Sequence, residues 1–334
     1  MEAVTSYRWH ELSLVVHADE PAGAGELAQT LQELSWVCDD TRGLAPALSI
    51  YVHQQTAKRH LPETARRMFQ AEGFWGFECG GDCDLTDGLS QWHLQLRQGR
   101  GEAWLGPDFP QKPAHLRRRF WAFGVLKLLR PLGLFSLHAA AVVSTDDRGM
   151  LIVGAPGSGK STLALGLLRR GWSYLTDDTV LLRQQSDAVE ALACRQDAYV
   201  KTEDATRYGD LPWGKIVPDS VGGCKQRLCS RTAYPGQIVS RYIPQVVLVA
   251  HISVGLQTLV RPLDRVQCLR QLLAQSGPQL FDRPTMGAQL EVLAHLLQQA
   301  DMYELQAGRD LYDEPLILQD LLSEVKGVVP WRAS

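Results

Sequence analysis

The sequence predicts an α/β protein in two parts, a smaller α+β unit over residues 1–112 and a larger α/β unit over residues 113–334. Three observations predict it. From about residue 134 onward, short apolar runs alternate with helical patterns, as in a sheet covered by helices on both faces. Within that stretch a glycine-rich turn, residues 154–161, joins an apolar run to a helix-forming one. Residues 101–113 are rich in Gly and Pro and read as the linker between the parts.

The elements follow in order. Residues 12–17 alternate apolar and polar and read as a strand, residues 26–34 as a helix, and residues 48–53 and 92–96 as further strands. His10, His17, His53, His60 and His93 stand singly, and no pattern in this half carries chemistry. Residues 115–129 place Leu116, Phe120, Phe123, Leu126 and Leu129 at helical spacing, and Pro131 and Gly133 end that helix. Arg117, Arg118 and Arg119 read as its solvated face. Residues 135–143 and 150–153 read as buried strands and residues 161–170 as a helix. Residues 172–175 and 179–182 read as strands on either side of Asp177 and Asp178. The continuous apolar run 245–251 suits a strand inside a sheet. Helices are expected over 264–275, 288–299 and 316–325.

Charge and composition exclude several classes. Lys+Arg number 34 against 37 Asp+Glu, so no basic excess marks a dedicated nucleic-acid binder. Hydrophobic residues reach 45%, enough to bury a core and so to exclude disorder as the main state. The longest apolar stretch, residues 120–143, is broken by Lys127, Arg130 and Pro131. It falls short of the roughly 18 clean residues a membrane span needs, and no membrane partner is expected. Seven cysteines and a polar start suit reduced thiols in a cytoplasmic protein. The pairs Cys79/Cys83 and Cys224/Cys229 lack the tight spacing of a zinc ribbon and read as free thiols in loops.

Residues Gly154, Ala155, Pro156, Gly157, Ser158, Gly159, Lys160 and Ser161 match the phosphate-loop pattern G-x-x-x-x-G-K-[ST] at every fixed position. The glycines allow backbone conformations closed to residues with a Cβ, so successive N–H groups can turn inward as an anion nest. The positive end of the following helix adds to it. Lys160 brings a full charge to the β- and γ-phosphates, and the Ser161 hydroxyl is placed to ligate Mg²⁺. Thr162 is the next hydroxyl on the helix. The cofactors expected are therefore ATP and Mg²⁺. Asp177 and Asp178 follow at the end of the next strand, where sheet ligands collect. Two adjacent carboxylates can divide the work, one steering Mg²⁺ and one accepting a proton.

Residues 137–141 and 151–178, from Leu137-His138-Ala-Ala-Ala to Leu-Thr-Asp177-Asp178, resemble the HPr kinase/phosphorylase superfamily. They are closest in style to the HPr-kinase-related proteins of peptide-modification systems, including lasso-peptide kinases. The detailed match covers about residues 136–182, and a looser one runs to about 310. The resemblance implies a P-loop kinase fold of the HPr kinase and phosphoenolpyruvate carboxykinase type over residues 113–334, and transfer of a γ-phosphoryl group to a serine hydroxyl. It implies Asp177 as the base, Asp178 with Ser161 as the Mg²⁺ organisers, and His138 beside the site. Relatives often assemble, so a homo-oligomer is compatible. The family's later Glu-x-Arg-Gly run is absent, and the nearest acids are Glu203 and Asp204. That departure points away from HPr as the acceptor and from a reverse, phosphorylase activity.

A cation is also needed for the developing charge. Arg241, then Lys201 and Arg231, are the candidates, and residues 201–242 read as a long loop able to close over a substrate. The expected partner is a protein or peptide carrying a serine. The alternatives are a small hydroxyl compound as acceptor, or an ATP-dependent switch that transfers to nothing.

Overall fold

A computed structural model describes residues 3–39, 46–54, 60–71, 73–218, 223–253, 255–277 and 283–324. The chain divides into two compact units, residues 1–135 with 278–289, and residues 136–277 with 290–334.

The first unit contains β1 (Ala3–Trp9), β2 (Leu12–Ala18), α1 (Pro21–Glu33), β3 (Val37–Cys38), β4 (Leu48–His53), β5 (Arg66–Ala71), β6 (Phe74–Cys79), β7 (Asp82–Thr86), β8 (Gln91–Gln95), β9 (Arg100–Trp104) and α2 (Ala114–Leu129). Its sheet runs β3-β1-β2-β4-β9-β8-β7-β6-β5. The pairs β2–β4 and β4–β9 are parallel, with α1 crossing between β2 and β4. His10 takes a left-handed φ of 49°, which lets the chain reverse between Trp9 and Leu12 in two residues.

The boundary expected after residue 112 lies instead after Phe135. Two packing facts account for it. Gly101, expected in a linker, is in the sheet-central strand β9, where a Cβ would come 2.8 Å from the Trp92 ring. Helix α2 buries Phe120 and Trp121 against Trp92 and Phe109, and Trp92 Nε1 donates to the Phe120 carbonyl at 3.0 Å. The Arg117–119 face is also more than solvated. Arg117 pairs with Glu26 at 3.0 Å and donates to the Lys112 carbonyl, and Arg118 lies 3.8 Å from Glu33, tying α2 to α1.

Gly124 of α2 lies flat against Trp92, where a Cβ would meet the ring at 2.5 Å. Gly124→Ala therefore overpacks this core and should destabilise the first unit by about 1–3 kcal/mol. Urea unfolding followed by tryptophan fluorescence measures it.

The second unit follows with β10 (Phe135–Val143), β11 (Gly149–Val153), α3 (Lys160–Arg169), β12 (Ser173–Thr176), β13 (Thr179–Gln185), β14 (Ala188–Ala193), β15 (Ala198–Lys201), α4 (Thr202–Ala205), β16 (Trp213–Pro218), β17 (Cys224–Leu228), α5 (Ser230–Ala233), β18 (Arg241–Tyr242), β19 (Pro244–Ile252), β20 (Leu259–Pro262), α6 (Arg265–Gln275), α7 (Arg283–Gln299), β21 (Asp301–Ala307), α8 (Arg309–Asp313) and α9 (Ile317–Glu324). This is a mixed α/β unit. The main sheet runs β18-β14-β13-β10-β11-β19-β21-β20, with β12 paired to β10. β11, β19 and β21 are parallel, while β10 and β20 join them antiparallel. Alternation along the strands puts Ile152, Leu248 and Leu305 on one face, packed with Leu163, Leu167, Leu311 and Leu318 of α3, α8 and α9. On the other face α6, capped by Asp264 accepting from the N–H groups of Val266 and Gln267, packs on β11.

Residues 201–242 are not the long loop expected. They hold most of a small sheet, β15-β17-β16. All seven cysteines are free, but those expected in loops are in strands: Cys79 ends β6, Cys83 is buried in β7, and Cys224 begins β17, leaving Cys229 outside one. Among the described residues no helix is long and apolar enough to cross a membrane.

Candidate active site

The phosphate loop leaves the carboxyl end of β11 and closes at Lys160, the first residue of α3. Gly157 and Gly159 take left-handed φ values of 83° and 84°, so the sequence needs glycine at both. Gly154 has no room for a side chain, because a Cβ would lie 2.5 Å from the Ala250 carbonyl and 2.6 Å from Ser158 Oγ. At Gly159 a Cβ would lie 2.0 Å from the Tyr312 hydroxyl of α8. Gly159→Ala thus combines a left-handed penalty of about 1–2 kcal/mol with a clash. It should weaken nucleotide binding at least tenfold, measured by titration with a fluorescent ATP analogue.

Lys160 is buried, and its Nζ donates to the carbonyls of Gly154 at 2.7 Å and Ala155 at 3.1 Å. Burial lowers its pKa to about 8, an effect that Lys225 reinforces and Asp178 and Asp177 oppose. Ser158 Oγ is buried without a hydrogen-bond partner. Ala155, Pro156 and Gly157 are exposed, while Ser161 and Thr162 are half-buried at the start of α3. An orphaned hydroxyl, a lysine resting on its own loop and a cradle that excludes side chains fit nucleotide phosphates.

Asp177 and Asp178 occupy the turn from β12 to β13, and their side chains meet different partners. Asp177 is 2% exposed. It accepts from the Tyr174 hydroxyl at 3.0 Å and from the Tyr199 N–H at 3.2 Å, and the neighbouring Ser161 hydroxyl favours its charge. Burial, then the neighbouring Asp178, raises its pKa. Ser161 and Asp177 together offer the oxygen ligands that Mg²⁺ takes.

Asp178 has a side chain 34% exposed. Its Oδ2 meets Arg195 Nη1 at 2.9 Å, its Oδ1 lies 3.3 Å from His138 Nδ1, and Thr179 Oγ1 donates at 3.1 Å. Burial works against its ionisation, but the Arg195 guanidinium and then His138 outweigh this and hold it well below the usual carboxylate range. The main chain braces the arrangement, because the Asp178 carbonyl accepts from Ala139 N–H at 3.1 Å and lies 2.8 Å from His138 Nδ1.

The structure therefore brings together Lys160, Ser161, Asp177, Asp178 and His138. Arg241 is elsewhere: it pairs with Leu192 in β18–β14 and lies 3.7 Å from Glu190. Lys201 is exposed 3.9 Å from Glu203, and Arg231 donates to Gln196 Oε1 at 2.9 Å. The cation beside Asp178 is Arg195, not Arg241. A legible signal did exist for it. The β13–β14 hairpin pairs Gln185 with Ala188 and Val180 with Ala193. Extending that register two residues past Val180 sets Arg195 opposite Asp178. Tyr174 and Tyr199, which hold Asp177, carried no such signal.

No family model matches the chain. Two curated HPr kinase/phosphorylase proteins do. That of Chlorobium phaeovibrioides is 31% identical over 64 residues, 19% of each chain. That of Chlorobium limicola is 36% identical over 66 residues, 19% of this chain and 20% of its own. The tRNA modification GTPase MnmE of Methylobacterium radiotolerans is 29% identical over 175 residues, 44% of this chain and 39% of its own. The chain thus spans two-fifths or less of the length of the curated relatives it matches. The solved Hpr(Ser) kinase/phosphatase of Coxiella burnetii aligns at 14% identity and a TM-score of 0.30, covering 56% of this chain and 92% of that one. By its phosphate loop, its acidic pair and these curated relatives, the chain is similar to HPr kinase/phosphorylase over its phosphate-loop region.

Proposed function

We propose that the chain is an ATP- and Mg²⁺-dependent kinase that moves the γ-phosphoryl group onto a serine hydroxyl of a protein or peptide. One observation carries the reading. Beside the phosphate loop two adjacent carboxylates meet different surroundings, one buried against Tyr174 and Tyr199 and one a third exposed next to the Arg195 cation. A module that only binds nucleotide has no use for the second. The relatives named HPr kinase/phosphorylase favour a protein acceptor over a small hydroxyl compound.

In this reading Asp177 and Ser161 organise Mg²⁺, and Asp178 accepts the serine proton. That reverses the division implied by the family resemblance. Asp177 is buried and accepts from Tyr174 and Tyr199, whereas the Asp178 side chain is a third exposed, so an incoming hydroxyl reaches Asp178 more readily. The low proton affinity of Asp178 does not disqualify it. In a loose transition state the proton leaves late, and the carboxylate serves first to orient the hydroxyl. Bound ATP and Mg²⁺ supply the phosphoryl group and neutralise its charge. The loop N–H groups and the α3 N-terminus hold the phosphates, and Lys160 leaves the Gly154 and Ala155 carbonyls to pair with them. Asp178 takes the proton as the serine O–P bond forms and the bond to ADP breaks. Arg195 and His138 fix the Asp178 carboxylate, and Arg195 offsets the charge that develops.

The test is the destination of labelled phosphate. With γ-labelled ATP and Mg²⁺, serine peptides, HPr and free serine are offered as acceptors. Label on serine of a peptide or protein, absent with Lys160→Ala, is the expected result. Label only on free serine, or only in inorganic phosphate, contradicts it.

A pH effect follows from Lys160. Its charge is lost as pH rises through about 8, and bound phosphates favour the charged form. Nucleotide binding should therefore take up a proton above about pH 8 and none near pH 7. Calorimetry in buffers of different ionisation enthalpy measures the uptake, which Lys160→Arg should abolish.

A further inference from the structure

We propose that the outer face of the β15-β17-β16 sheet binds a peptide segment rich in Asp and Glu that carries the acceptor serine. The proposal rests on the kinase reading above for the serine, but its charge argument stands on the sheet itself. The three strands contain Lys201, Lys215, Lys225 and Arg227 and no Asp or Glu. Register pairs Lys201 with Lys225 and Tyr199 with Arg227, so Lys201, Lys225, Tyr199 and Arg227 share one face, and Lys215 is exposed on the neighbouring strand β16. The alternating residues Ala198, Val200 and Leu228 are buried in the core, which turns the cationic face outward.

That face adjoins the chemistry. The Tyr199 N–H donates to Asp177 at 3.2 Å, and the Arg195 guanidinium lies 5.8 Å from the Tyr199 ring centre. A segment lying along the sheet would therefore reach Asp178 with its hydroxyl. Described carboxylates border the face without lying on its strands. Glu203 is 3.9 Å from Lys201 at an exposed site, and Asp197 engages Arg227 from outside the strands. Exposed pairs of this kind are weak, so a ligand's carboxylates can replace them. The chain as a whole is acidic, with a net charge of −3, so a cationic face steers an acidic segment to this place in particular.

The test measures peptide binding directly, without nucleotide, so that its outcome is separate from transfer. Fluorescein-labelled serine peptides flanked by glutamate, glutamine or lysine are titrated with the full chain, followed by anisotropy at two salt concentrations. The glutamate peptide should bind about tenfold tighter than the glutamine peptide, and this preference should shrink at high salt. The double variant Lys201→Glu, Lys215→Glu should reverse the preference. Lys201→Gln with Lys215→Gln, checked for an unchanged unfolding midpoint, should reduce it without reversal. Equal binding of the three peptides, a preference untouched by the variants, or tighter binding of an oligonucleotide of matched charge would overturn the proposal. Tight, lysine-dependent binding of the glutamate peptide without transfer to it would uphold the docking face and sink the kinase reading instead.

Discussion

Asp178→Asn should lower phosphoryl transfer by a factor of about 10²–10⁴, the usual contribution of a positioned acid or base, while leaving nucleotide affinity within a few-fold of wild type. The amide keeps the shape of the carboxylate but has no charge with which to orient and deprotonate a hydroxyl. It also leaves Arg195, 2.9 Å away, without its counter-charge. Asp177→Asn should act differently. Its partners are Ser161, Tyr174 and the Tyr199 N–H, so the loss falls on metal affinity. Transfer should recover as Mg²⁺ is raised. Rapid-quench assays across a Mg²⁺ titration separate the two variants. If Asp177→Asn stays inactive at saturating Mg²⁺ while Asp178→Asn transfers, the roles are those first implied by the resemblance.

Lys160→Ala is expected to reduce transfer on the order of a hundredfold or more, the scale of losing one preorganised charge in a water-poor site. Its ammonium is poised rather than spent. It rests on two loop carbonyls, and burial has lowered its pKa to about 8, so phosphate oxygens are better partners than those it has. Lys160→Arg should restore nucleotide binding in part but not transfer, because the planar fork cannot occupy the same buried pocket. Nucleotide titrations beside single-turnover rates measure both.

The parts of the site that the sequence displays are those made by consecutive residues. Residues 154–161 need their glycines for backbone reasons, and Asp177 and Asp178 are adjacent, so both could be read without a fold. What the reading missed depends on pairing across space. Arg241 is cationic and precedes an apolar strand, but β18 pairs with β14 and carries it to Glu190. Arg195 was reachable only by extending the β13–β14 register. The division of labour proposed for the two acids was illegible because it turns on how deeply each side chain is buried. Residues 201–242 read as a loop because their strands are short and polar on the outside, with Leu228 the fully buried strand residue and Trp213 packed against the core. The domain boundary failed for a related reason. Gly101 looks like a linker glycine until Trp92 is set against it. The strands β5, β6 and β7 carry arginine, glycine and aspartate that mask their alternation.

The most direct measurement is the ratio of phosphoserine formed to ADP formed, followed by mass spectrometry and a coupled assay, with and without a serine peptide. A transferase that seals its acceptor against water predicts a ratio near one and ADP formation that depends on the peptide. ADP that accumulates equally without peptide, with its phosphate released free, would contradict the account and leave a nucleotide-hydrolysing switch.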